Sequence, residues 1–224
     1  LSRLERVAAW RGLARMLAHE IKNPLTPILL AVQEAHDNYA GDDEDYRRLL
    51  DTCTDVVREE VEGLRALVAE FSDFARLPRP EPVLGDLAPL LDDLQRLYGE
   101  ERLAVAHPLG GLRANFDAGQ LRRALINLID NALAAGGEEP VGLLCKGRGR
   151  GWRLSVIDRG SGIAAEDLNR IFEPDFTTKK EGMGLGLPIV LGVVEGHGGT
   201  LSVESEPGAG TTFRIDLPDG NHPG

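Results

Sequence analysis

Three side chains near the start of the chain have the types and spacing for phosphoryl chemistry. They fall within His19-Glu20-Ile21-Lys22-Asn23-Pro24-Leu25-Thr26-Pro27. In a helix His19 and Asn23, four apart, share a face, and Glu20 stands beside the imidazole. A neutral imidazole keeps one bare nitrogen that can attack phosphorus. A carboxylate that accepts the N–H of the other nitrogen fixes the tautomer and stabilises the developing positive charge. Pro24 and Pro27 lack the N–H groups that the carbonyls of Glu20 and Asn23 would take, which predicts a bend just after the histidine. Each costs about 3 kcal/mol in a helix, a cost more readily tolerated where geometry serves function. Taken alone, the His–Glu pair reads equally as a surface pair on a kinked helix.

A second set of residues is suited to hold a nucleotide, although the chain has no GxxxxGK[ST] phosphate loop. Asn127 and Asn131 are i, i+4 on one predicted helix, and a carboxamide oxygen is a good neutral ligand for Mg²⁺. Asp158-Arg159-Gly160-Ser161-Gly162 ends a strand. Its carboxylate can accept an exocyclic amine, and Gly160 and Gly162 allow a ring close to the backbone. Phe172 to Lys179 puts two aromatics beside hydroxyls and a lysine. Gly182-Met183-Gly184-Leu185-Gly186-Leu187 leads into a helix whose first N–H groups can face phosphate oxygens. Gly208 to Phe213 is a turn that brings Thr211 towards the base. Individually, these segments also read as a polar helix face, an ordinary turn, a core-plus-surface loop and a flexible loop.

Together and in this order they resemble the N, G1, F, G2 and G3 boxes of the histidine-kinase ATPase domain, in the superfamily shared with DNA gyrase. The run from His19 to Pro27 resembles the phosphoacceptor box of the HisKA class of sensor histidine kinases, and its ending Pro-Leu-Thr-Pro resembles the nitrogen-regulation branch. The resemblance implies an ATP-dependent protein-histidine kinase in which His19 is phosphorylated, Glu20 assists as acid or base and Asn23 positions water for a phosphatase reaction. It implies ATP and Mg²⁺ as cofactors, with Asn131 the metal ligand and Asn127 in support. Asp158 would recognise adenine with Gly160, Gly162 and Thr211, and Gly182, Gly184, Leu185 and Gly186 would form the lid. Its implied partners are a second copy of the chain and a response-regulator receiver domain. Hydrolysing members of the superfamily have Glu where Asn127 stands. An amide is no general base, so ATP should wait for the histidine. Ala134 and Ala135 stand where many relatives have a basic residue, which leaves Lys179, Lys180 and Arg123 as candidate phosphate cations.

These residues must be positioned by two kinds of element. Apolar residues recur at threes and fours from Leu1 to about Asp37, and again from about Glu44 to Leu77, around a turn at Asn38–Asp43. The fold expected for 1–77 is an all-α helical hairpin. Its open apolar face predicts a dimeric four-helix bundle. Alternating prolines make 78–82 a stiff linker. Strand and helix signals then alternate over 83–218: a helix at Leu87–Leu97, strands at Leu103–His107 and Leu112–Phe116, and a helix at Ala118–Ala135 capped by Asp117. Strands at Val141–Lys146 and Trp152–Asp158, a short helix at Ala165–Ile171 and a helix at Leu185–His197 come next. Strands at Thr200–Glu204 and Thr211–Leu217 close an α+β sandwich with helices on one face of a mostly antiparallel sheet, before a tail at 219–224.

The 224 residues carry a net charge of -11, which argues against a nucleic-acid partner and requires that an anionic nucleotide be met by locally placed donors and cations. Cys53 and Cys145 form no metal or disulfide pattern, and no apolar run is long enough to span a membrane. The expectation is a cytoplasmic fragment, connected to the inner membrane only through segments upstream of Leu1.

Overall fold

The computed structural model describes residues 21, 24–38, 44–75, 80–108, 111–148, 151–173, 176–177 and 184–218, with backbone alone at 66–67 and 69–75. They fall into two compact units, one within residues 21–75 and the other within 80–218.

The first unit is a pair of helices, α1 (residues 24–37) and α2 (Glu44–Ala75). Asn38 ends α1 by returning both its backbone N–H and its side-chain amide to the carbonyl of Glu34, at 3.1 and 2.9 Å. The Tyr46 hydroxyl donates to the carbonyl of Ala35 at 3.1 Å, which ties the start of α2 to the end of α1. Ala31 and Cys53 are buried, whereas Leu25, Leu29, Leu30, Val32 and Leu50 are exposed.

The second unit starts with β1 (Val83–Asp86), α3 (Ala88–Tyr98), β2 (Leu103–Ala106) and β3 (Arg113–Phe116). Then come α4 (Ala118–Ala134), β4 (Val141–Arg148), β5 (Gly151–Ile157), α5 (Gly186–Gly196), β6 (Thr200–Glu206) and β7 (Gly210–Leu217). Five strands form one sheet in the order β2-β4-β5-β7-β6, parallel at β2–β4 and antiparallel elsewhere. Alternation along β4 buries Val141, Leu143 and Cys145, and Leu154, Val156, Phe213, Ile215 and Leu217 continue that buried face. Leu91 and Leu94 of α3, Leu121, Leu125 and Leu128 of α4 and Val190, Val193 and Val194 of α5 supply the helical side of the core.

Two expectations are corrected. Residues 165–171 form no regular helix: Asp167 N–H bonds back to Ala164, and the N–H groups of Arg170 and Ile171 both bond the carbonyl of Asp167, a succession of turns. So short a segment cannot sustain helical bonding on its own. The chain after the linker also forms a strand, β1, which pairs antiparallel with β3 as a separate two-stranded sheet, Val83 opposite Phe116. The indole N–H of Trp152 donates to the carbonyl of Arg113 at 2.9 Å and links the small sheet to the large one.

Candidate functional site

Helix α4 carries the two carboxamides. The Asp117 side chain accepts the N–H of Gln120 at 3.1 Å and starts the helix. Ten residues on, Asn127 returns its amide N–H to the carbonyl of Arg123 at 3.0 Å, which turns its Oδ1 outward. A Cβ built on Gly186 would stand 3.1 Å from that Oδ1 and 3.8 Å from Nδ2 of Asn131. Both carboxamides therefore meet the first residue of α5, and any side chain there would intrude on them. Among the described residues no side chain caps this end of α5, which leaves its first N–H groups without a cap there.

Asp158, directly after β5, belongs to the loop at the C-terminal end of α4 and is 7% exposed. Its Oδ1 accepts the N–H of Gly160 at 2.9 Å and of Thr211 at 3.3 Å. Burial pushes its carboxyl pKa up, against the opposing pull of those two N–H groups. Oδ2 accepts no bond from the described residues. A carboxylate oxygen with spare lone pairs on an otherwise buried residue is suited to take the hydrogen of a neutral amine. The Ser161 N–H donates to the carbonyl of Ala135 at 3.1 Å, which fixes the Asp158 loop to the end of α4. Gly160 is crowded by α4 itself, because a Cβ there would stand 2.5 Å from the carbonyl of Gly136. Gly162 has φ +69, and a Cβ would strike the carbonyl of Glu206. Packing of the chain on itself thus requires both glycines.

Gly184 has φ +66, and a Cβ there would stand 2.5 Å from the carbonyl of Phe176. The Arg170 guanidinium lies 4.7 Å from the centroid of the Phe176 ring. Leu185 is fully buried, and its carbonyl accepts the N–H of Ile189 at 3.0 Å. Gly184, Leu185 and Gly186 are thus held between Phe176 and α4. His19, Glu20, Asn23, Lys179, Lys180 and Gly182 lie outside the described residues.

Residues 116–221 match the family model of histidine kinase-, DNA gyrase B- and HSP90-like ATPases, and residues 9–80 match the His Kinase A phospho-acceptor domain. The chain belongs to the sensor histidine kinases. It is 34% identical over 225 residues to the nitrogen regulation protein NtrY of Azorhizobium caulinodans, covering 95% of this chain and 29% of that protein. It is 34% identical over 226 residues to the sensory histidine kinase/phosphatase NtrB of Rhodobacter capsulatus, covering 92% of this chain and 61% of NtrB. The chain thus spans only part of each relative. The fold is shared with histidine kinase ThkA, solved in complex with response regulator protein TrrA, at a TM-score of 0.74 and 24% identity over 97% of this chain and 64% of that one.

The chain also has residues positioning these elements that its sequence did not single out. His197, buried at the end of α5, has Nδ1 2.7 Å from the carbonyl of Val193, so Nδ1 holds the hydrogen. Its Nε2 accepts the N–H of Asp117 at 2.9 Å, and Asp117 Oδ2 accepts the N–H of Glu81 at 3.2 Å. One imidazole thereby joins the end of α5 to the start of α4. Ser205 of β6 is the second such residue. Its hydroxyl touches Ile163, Gly210 and Thr211. A histidine just before Gly198-Gly199 was visible in the sequence; a serine in a polar strand gave no signal.

Proposed function

We propose that this chain is the catalytic part of a sensor kinase that phosphorylates its own His19 from ATP and passes the phosphoryl group to an aspartate of a response regulator. The observation that carries the nucleotide half is the convergence of Asn127 and Asn131 on Gly186, with buried Asp158 in the loop bonded to the C-terminal end of the same helix. Its donor set fits a magnesium nucleotide: carboxamide oxygens for a hard cation, uncapped N–H groups for phosphate and a carboxylate oxygen for an amine. Magnesium ATP, when bound, supplies a terminal phosphoryl group with ADP as the leaving group. Asn131 is the metal ligand in this reading, with Asn127 in support. Asp158, Gly160, Gly162 and Thr211 hold the base, and Gly182, Gly184, Leu185 and Gly186 close over the phosphates with Lys179 as a cation.

The bare imidazole nitrogen of His19 forms the new N–P bond as the bond from that phosphorus to the ADP oxygen breaks. Glu20 holds the hydrogen of the other ring nitrogen. A regulator carboxylate then takes the phosphoryl group from His19. In the reverse sense of signalling, Asn23 positions water against the phosphorylated regulator, an assignment supported by the kinase/phosphatase relative NtrB. Residues 1–77 form the dimerising hairpin, 78–82 the linker and 83–218 the ATP lobe. The exposed Leu25, Leu29, Leu30 and Val32 support a bundle of two hairpins.

The test is incubation with γ-labelled ATP and Mg²⁺. Wild type is expected to gain an acid-labile, alkali-stable phosphoryl group that His19→Gln and Asn131→Ala both lack. Label retained by His19→Gln would refute the assignment.

A further inference from the structure

The hydrogens around Thr211 can be assigned from the bonding partners of Ser205. Ser205 Oγ lies 2.9 Å from the carbonyl of Gly210, 2.8 Å from the N–H of Ile163 and 2.9 Å from Thr211 Oγ1. A carbonyl only accepts, so the Ser205 hydrogen goes to Gly210. An N–H only donates, so Ile163 takes one lone pair of Ser205. The remaining lone pair is satisfied only if Thr211 donates to it. In that arrangement every bond around Ser205 is made, and the Thr211 hydroxyl has given up its single hydrogen. Thr211 Oγ1 then presents lone pairs alone. Thr211 and Ser205 face each other across the β6–β7 ladder, and the Thr211 backbone bonds Asp158 through both its N–H and its carbonyl.

We infer that Ser205 is a specificity-determining positioning residue: by taking the hydrogen of Thr211 it leaves two acceptors, Thr211 Oγ1 and Asp158 Oδ2, on residues whose backbones bond each other, so that the site admits a 6-amino purine and rejects a 6-oxo purine. This rests on the nucleotide reading of Asp158 above. An adenine edge offers amine hydrogens to such acceptors, directly or through a water that donates to Thr211, whereas a 6-oxo purine turns an oxygen towards them. Unpaired polar groups in a buried site discriminate more strongly than any loss of apolar contact. Without Ser205 the Thr211 hydroxyl is free to rotate and donate, and the penalty on the 6-oxo base falls.

The experiment uses the 224-residue chain and measures binding of ATP and of inosine triphosphate by competition against a fluorescent ATP analogue. Ser205→Ala is expected to shrink the ATP-to-ITP affinity ratio by about tenfold, the scale of one hydrogen bond to a charged or buried group. Ser205→Thr, which keeps a hydroxyl, should restore the wild-type ratio. Thr211→Val removes the acceptor itself and should shrink the ratio at least as far, a check that stands even if Ser205→Ala does not fold. An unchanged ratio in Thr211→Val, or an equal loss of both nucleotides in Ser205→Ala, overturns the inference. Asp158→Asn separates the two readings. If wild type binds no ATP, or Asp158→Asn binds it as wild type does, the nucleotide site itself is wrong. If Asp158→Asn weakens ATP while the Ser205 and Thr211 variants keep the ratio, only the role of Ser205 falls.

Discussion

The two units bury their apolar residues differently. Among the described residues the hairpin buries Ala31 and Cys53 and leaves Leu25, Leu29, Leu30 and Val32 between 50% and 58% exposed. The ATP lobe buries Leu87, Leu91, Leu94, Leu103, Leu121, Leu125 and Leu143 to 0%. A face of that size left in water forfeits about 25 cal/mol for each Å² of apolar surface. Among the described residues the lobe closes its core within one chain, whereas the helices of the first unit leave an apolar stripe open. On the proposed reading the two halves of the reaction differ in molecularity: nucleotide recognition uses one chain, and presentation of the phosphoacceptor uses two.

The strongest way to break that contrast is to charge the open face. Leu25→Asp with Leu29→Asp places two carboxylates where a partner helix must pack, and burying an unpaired charge costs several kcal/mol. Dimer affinity measured by sedimentation should fall by about a hundredfold or more, and label incorporation with it, while ATP affinity stays at the wild-type value. A loss of ATP affinity in this variant would show that the lobe is not self-sufficient. The reciprocal change is Leu128→Ala, at a position 1% exposed on α4 beside Asn127. It should destabilise the lobe by about 2–5 kcal/mol in denaturant melts and leave the dimer intact.

Legibility in the sequence divides in the same way. Asn127, Asn131, Asp158 and the glycines were readable because each belongs to a short local string, and the fold then brings those strings together at Gly186 and Gly160. The reason given for Gly160 was incomplete, since the atom that excludes a side chain there is the carbonyl of Gly136, remote in sequence. Strand β1 escaped notice because Val83 and Leu84, neighbours in the chain, are both exposed, so the period-2 signal is missing. Ser205 escaped because its importance lies wholly in three bonds to other segments. Over the described residues of α1 and α2 the helical period was readable, and the exposed stripe in α1 follows from it; the expected helix before residue 21 lies outside the described residues.

Acidification separates the lobe's stability from its binding. Burial raises the pKa of Asp158, so the folded lobe holds that proton more readily than the unfolded chain does. The ionised form therefore costs the empty lobe stability above the ordinary aspartate range, and the cost is relieved as pH falls through the raised value. Amine recognition needs the ionised form, so ATP affinity should fall over that same window by about tenfold. Wild type minus Asp158→Asn, measured by calorimetry at a series of pH values, should show the two trends with opposite sign. Parallel trends would mean that Asp158 does not contact the base.

The smallest expected effect tests whether the lobe's self-sufficiency extends to its surface. His107 Nε2 lies 3.0 Å from Asp92 Oδ1 and ties the end of β2 to α3, with side-chain exposures of 17% and 49%. The bond to Asp92, assisted by the carbonyl of Pro108, raises the imidazole pKa, while partial burial opposes it. Because the folded value lies above the unfolded one, the stabilisation is fully present below about pH 6.5 and is lost as pH rises through the raised value. Solvent screening at Asp92 keeps it under about 1 kcal/mol. Asp92→Asn should therefore lower the melting temperature of the lobe slightly at pH 6 and leave it unchanged at high pH, with no effect on dimer affinity at either. A deficit that grew with pH would show that the contact acts through packing, because the charged imidazolium is then not the stabilising form.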